Sequence, residues 1–188
     1  MNNYYLGIDP SLNSTGIALL VVSNNEIIRN TTRCQPDKTL STFERTCLIR
    51  DYAHVYIKET LKNIDPLLTA DDCKGACIEG ASYNSVGKHD ELGQLRGALK
   101  LWLHDDFVDA VQVAPTRLKK FATGYGGANK EDMVKAATTQ GWILNAKDDD
   151  QADAAHLVTI AYMLKTPSAV RTRKQLEVLN DLGMVLEG

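Results

Sequence analysis

Four acidic residues stand where their neighbours suggest chemistry: Asp9, Glu79, Asp150 and Asp153. Asp9 closes the run Leu6-Gly7-Ile8 and is followed at once by the turn residues Pro10-Ser11, so its carboxylate should emerge at the end of a strand. Glu79 follows Ala76-Cys77-Ile78. A glutamate in such a run is buried or half-buried, where an ionised carboxylate is costly without a cation. Asp150 and Asp153 are three apart at the start of a helical pattern, which puts both on one face of its first turn. Each has an ordinary explanation alone, since aspartate before proline makes turns, alternate strand positions face solvent, and first-turn acids suit the helix dipole. Three such places, each at the end of a regular element and each able to face one cavity, point instead to a carboxylate cluster holding a divalent cation against a phosphate. Hard oxygen donors select Mg2+ or Mn2+ over zinc. Asp148 and Asp149 adjoin Asp150, and spacing leaves open whether Asp149 or Asp150 is the ligand.

The 188 residues carry a net charge of -3, a mild argument against a nucleic-acid partner. The distribution argues the other way. Arg117, Lys119, Lys120, Lys130 and Lys135 face only Glu131 and Asp132 in their stretch, and Lys165, Arg171, Arg173 and Lys174 cluster without acids. An acidic pocket flanked by basic surface is what a metal-dependent nuclease requires. Arg117, Lys119, Lys120 and Lys130 are accordingly the expected DNA contacts. Of the four cysteines only Cys73 and Cys77 are close, with no second Cys or His pair at zinc spacing; reduced thiols in a cytoplasmic protein are expected. No stretch approaches the roughly twenty apolar residues of a membrane-spanning helix.

The elements that must position the acids follow from periodicity and turn residues. Three strands, Tyr4 to Ile8, Gly16 to Val22 and Glu26 to Arg33, are separated by short turns and should pair antiparallel. Ser41-Thr42-Phe43-Glu44 matches a capping box, opening a helix to Asn63 with Leu48, Tyr52, Val55, Ile57 and Leu61 as its apolar face. Then come a buried strand at Ala76 to Ala81, a helix from Asp90 to Leu103, a strand Ala110 to Val113, a helix Pro115 to Phe121, the glycine-rich loop Gly124-Tyr125-Gly126-Gly127, a helix Lys130 to Gln140, and a core helix Asp150 to Lys165. This order describes a mixed α/β sheet with helices on both faces. Thr166-Pro167-Ser168 divides a domain at 1–166 from a C-terminal extension at 167–188.

The segments Leu6-Gly7-Ile8-Asp9-Pro10-Ser11 with Thr15-Gly16, Ile78-Glu79, Gly93-Gln94-Leu95-Arg96-Gly97, Pro115-x3-Lys119-x4-Gly124-x-Gly126-x3-Lys130 and Asp150-Gln151-Ala152-Asp153-Ala154 together resemble the RuvC family of junction resolvases, within the ribonuclease H-like superfamily. The resemblance runs from Leu6 to about Ala161. It implies a ribonuclease H-like sheet of five strands, three antiparallel and then two parallel, and a homodimer that cuts four-way junctions and other branched DNA with two Mg2+ ions per site, Mn2+ substituting. The family's catalytic and metal-holding acids carry over onto Asp9, Glu79, Asp150 and Asp153, and its lysines onto Lys119 and Lys130. The helix bearing Gly93 and Gly97 becomes the expected dimer contact. Ser82 stands where cellular members place a Phe, a departure that suggests a phage-type enzyme working in host cytoplasm without the cellular members' sequence preference. Tyr83 is expected to stack on a base at the exchange point, which reads the face of the base and so selects branch shape over sequence.

A sugar kinase or chaperone-like ATPase also sets a Gly-x-Asp loop after a strand, but needs two such domains, for which the chain is too short. An RNA-processing nuclease of the YqgF-like type would share Asp9 and Glu79. Lys119, the glycine loop and Lys130 favour the DNA enzyme.

Overall fold

Turn residues at 10–14 and the left-handed Asn24 (φ 50°) cut the first forty residues into β1 (Asn3–Asp9), β2 (Thr15–Ser23) and β3 (Glu26–Cys34) in the computed structural model, which describes residues 2–24, 26–81, 89–145 and 147–183. The chain continues through α1 (Thr42–Ile64), β4 (Cys73–Glu79), α2 (His89–Asp106), β5 (Ala110–Val113), α3 (Pro115–Thr123), α4 (Lys130–Thr139), α5 (Asp149–Lys165) and α6 (Arg173–Asp181). The sheet order is β3-β2-β1-β4-β5; β1 pairs antiparallel with β2 and parallel with β4, and β5 is parallel to β4. The expected mixed sheet of five strands is present.

Strand alternation sends side chains to two apolar layers. Tyr4, Leu6 and Ile8 meet α1 and α2 through Ile49, Ala53, Ile57, Leu95 and Leu99, whereas Tyr5 and Cys77 face α3 to α6. The capping box at Ser41 and Glu44 forms as expected, but the buried face of α1 is Ile49, Ala53, Ile57 and Leu61. Leu48, Tyr52 and Val55, expected inside, are exposed. Apolar residues lie on two sides of this helix, and the side with Ala53 at its centre is the one turned to the sheet.

Helix α5 crosses β1, β2 and β4 and lies beneath α3, α4 and α6, so it is buried nearly all round. Periodicity therefore carries little information there. Within the segment 167–188, α6 packs on α3 and sinks Val178 and Leu179 into the same apolar layer. Its start carries a capping box between Thr172 and Gln175.

Candidate active site

Asp9 and Glu79 end two adjacent parallel strands, in register through the pair Ile8 and Ile78. Counting alternate residues from Tyr5 and Cys77 places both carboxylates on the α5 face. Two glycines bring α5 down to meet them. A Cβ at Gly7 would stand 2.3 Å from the Ala154 carbonyl oxygen, and one at Gly16, the partner of Asp9 across β1 and β2, 2.0 Å from that of Asp150. Only residues without a side chain let the helix rest on strand backbone here, and this contact carries Asp150 and Asp153 over Asp9.

The cluster is electrostatically strained. Asp9 is 8 % exposed, and burial, followed by the charges of Glu79 and Asp153, raises its carboxyl well above the usual range. A hydrogen bond between the Asp9 and Glu79 carboxyls raises Asp9 and lowers Glu79, so the two titrate as a pair. Glu79 is still raised by burial, against that bond and the positive charges of Arg96 and Lys119. Asp153 is pushed up to about 7 by burial and then by Glu79 and Asp149, with Lys119 opposing. Its Oδ1 is buried with no hydrogen-bond partner among the described residues. Buried acids that raise one another are stabilised by a cation, and all the donors are hard oxygens, as a divalent metal of the Mg2+ type prefers. Among the described residues no three acid, His or Cys side chains converge on one point at ligand spacing.

The adjoining aspartates are differently engaged. Asp150 accepts a hydrogen bond from the Ser14 hydroxyl and contributes to raising Asp9. Asp149 pairs with the Lys130 ammonium, which that contact raises, and Asp148 accepts from the Asn145 backbone and amide. Asp150 thus acts on Asp9, whereas Asp149, held by Lys130, acts chiefly on Asp153. Three residues beyond Asp153, His156 donates from Nε2 to the Met133 carbonyl at 3.0 Å; burial lowers it to about 4, so it is a neutral tie between α5 and α4.

The expected DNA contacts separate into groups. Lys119 acts electrostatically on Glu79 and Asp153, and Lys130 sits at the edge through Asp149. Arg117 and Lys120 turn to α6, with Lys120 3.0 Å from Glu177 and Arg117 3.9 Å from Asp181. Tyr83 lies outside the described residues. Two residues beside the acids were not singled out from sequence as site residues. Ser14 comes from the turn after β1, and Arg96 from the Gly93 to Gly97 segment, which was read only as a motif.

Residues 5–163 match the family model described as crossover junction endodeoxyribonuclease RuvC. A crossover junction endodeoxyribonuclease RuvC of Ehrlichia ruminantium (strain Welgevonden) is 30 % identical over 157 residues, 83 % of this chain and 92 % of its own. The Thermus thermophilus RuvC structure superposes with a TM-score of 0.62 at 18 % identity, over 87 % of this chain and 96 % of that one. T. thermophilus RuvC in complex with Holliday junction substrate gives 0.61 at 17 %, over 83 % and 90 %. The two structures share the ribonuclease H-like fold with this chain.

Proposed function

This chain belongs to the RuvC family of crossover junction endodeoxyribonucleases, and from that premise we propose that Asp9, Glu79, Asp150 and Asp153 form the site at which it hydrolyses the strands of Holliday junctions and other branched DNA. The observation that carries the reading is the strained acid cluster where β1, β4 and α5 meet, with Asp9, Glu79 and Asp153 each holding its proton too tightly.

Family membership implies a divalent metal, and two Mg2+ ions are the proposed complement. Bound there, they would supply Lewis acidity to the phosphate and a nucleophilic water at neutral pH. Asp9, Glu79, Asp150 and Asp153 would hold them. Ser14 restrains Asp150 for this task. Lys119 and Arg96 place positive charge beside Glu79, where phosphate oxygens of the cut strand would come. Hydrolysis adds water across the P–O3' bond and leaves a 5'-phosphate and a 3'-hydroxyl.

A second copy completes the proposed assembly. On α2, Gly93 and Gly97 have open space where a Cβ would stand, and Leu101, a turn further on the same side, is 62 % exposed. Small residues beside an exposed leucine suit close approach by the same helix of a partner, giving two sites for two strands. No helix among the described residues is long and apolar enough to cross a membrane. The reading places the enzyme with its DNA in the cytoplasm.

The test is cleavage of labelled four-way junction, fork, linear duplex and RNA with Mg2+. The junction is cut first by the native chain. Asp9→Asn and Asp150→Asn bind it without cutting, and Asp149→Asn still cuts. Preferential RNA cleavage, or normal cutting by Asp9→Asn, overturns the reading.

A further inference from the structure

Lys130 and Asp149 form an ion pair at the rim of the acid cluster, the lysine from the first turn of α4 and the aspartate from the first turn of α5. Their surroundings differ. The lysine side chain is 82 % exposed and the aspartate side chain 24 %, so the ammonium can swing out into solvent while the carboxylate stays beside the other acids. The stability of α4 gives no reason for a lysine at its first position. A helix start is the positive end of the dipole, where Glu131 and Asp132 are favoured and a cation is not. Asp149, by contrast, suits the start of α5 with or without its partner.

The charges around the pair decide what it does to the site. Asp149 helps to raise the Asp153 carboxyl, after burial and Glu79. Lys130 is itself raised first by its bond to Asp149 and then by the charges of Asp150 and Asp153, so its ammonium is felt by all three acids of α5. While the pair is closed, Lys130 offsets the charge of Asp149 and stands as a cation beside the acids that would take the metal. Once it opens, the cluster becomes more negative and a competing cation is gone. Both changes favour a divalent ion. A solvent-facing pair is weak and the lysine stem is flexible, so a phosphate oxygen can take the ammonium over.

We propose that Asp149 is a positioning residue that parks Lys130 beside the α5 acids until a phosphate of the substrate claims it, so that substrate and metal reinforce each other's binding through this one ion pair. The inference rests on the nuclease reading and adds regulation to it. The metal-free enzyme holds one phosphate contact in reserve, and the strand that takes it up leaves Asp149 to act on Asp153 unopposed. Coupling of this kind is reciprocal: the factor by which the strand tightens metal binding is the factor by which metal tightens strand binding.

The experiment measures binding and not cleavage. A labelled four-way junction is titrated in chelator with the full chain as the native protein, Asp149→Asn, Lys130→Gln and the double variant. Asp149→Asn should bind about threefold tighter than the native chain, the factor that an exposed ion pair is worth, because its lysine needs no release. In the Lys130→Gln background the same substitution should change nothing. In a second titration, without DNA, the Mg2+ concentration that gives half the full rise in melting temperature should fall about threefold in Lys130→Gln, where Asp149 stands unopposed. No tightening by Asp149→Asn overturns the inference. Equal tightening with and without Lys130 marks a diffuse charge effect and overturns it too, as does an Mg2+ midpoint unchanged or raised in Lys130→Gln. A native chain that binds no junction removes the nuclease reading and this inference together, whereas junction binding without the coupling removes this inference alone.

Discussion

Replacing Asp153 with asparagine should stabilise the metal-free protein while abolishing its response to metal. Burial and the charges of Glu79 and Asp149 push Asp153 from 3.8 to about 7. At about 1.4 kcal/mol per pH unit, ionising it in the folded state costs on the order of 4 kcal/mol. The side chain keeps partial contact with solvent, so ~2 kcal/mol is the working magnitude. The native carboxyl binds its proton more tightly than the unfolded one, so stability is fully present below about pH 4 and is lost as pH rises through about 7. In chelator at about pH 8, Asp153→Asn should therefore melt about 4–8 °C above the native chain, given the temperature shift per kcal/mol for a domain of this size. At about pH 3, where the acid is neutral in the folded and unfolded chain alike, the difference should vanish, and at about pH 5, where only the unfolded acid is ionised, roughly a third of it should remain. Millimolar Mg2+ should raise the native melting temperature and leave the variant nearly unchanged. Thermal melts across these conditions are the assay. A variant that melts at or below the native chain in chelator at high pH would refute the electrostatic account of the site.

Ser14→Ala, which frees Asp150, should raise the Mg2+ concentration needed for half-maximal junction cleavage by about tenfold with an unchanged melting temperature, a loss typical of removing a partner of a metal ligand; Ser14→Thr should restore it. Gly7→Ala forces a methyl against the Ala154 carbonyl and should cost about 3 kcal/mol or more, seen as lost soluble yield or a melting temperature lowered by several degrees. If α2 forms the proposed dimer contact, the native chain should sediment as a dimer and Gly97→Arg, at a position with open space around it, should fold normally yet sediment as a monomer.

Much of this arrangement was legible because local signals and tertiary structure agree. Turn residues bound the first three strands, and a glutamate inside an apolar run marked Glu79. Where several packings satisfy the same pattern, the sequence was ambiguous. Helix α1 carries apolar residues on two sides, so Leu48, Tyr52 and Val55 read as well as Ile49 and Ala53 did. On the short helix α3, Lys119 and Lys120 point about 100° apart, and which one faces the acids depends on where α6 docks. Helix α6 itself is polar enough to pass for a tail, and its apolar contacts through Val178 and Leu179 appear only once it docks on α3. The bond from Ser14 to Asp150 spans 136 positions and follows from no local rule.

The seating of α5 on bare strand backbone bears on any attempt to move this site into another scaffold. Interlocking side chains can trade volume with their neighbours, and a lost methyl in one is recovered by a gained methyl in the next. Main chain against main chain has no such slack. The gap between the acids of the sheet and those of the helix is set by the thickness of two polypeptide backbones, with Gly7 and Gly16 as its shims. A graft that copied all four carboxylates and substituted either glycine would lift Asp150 and Asp153 off Asp9 together. The two residues with no side chain thus belong to the specification of the site as fully as the acids do.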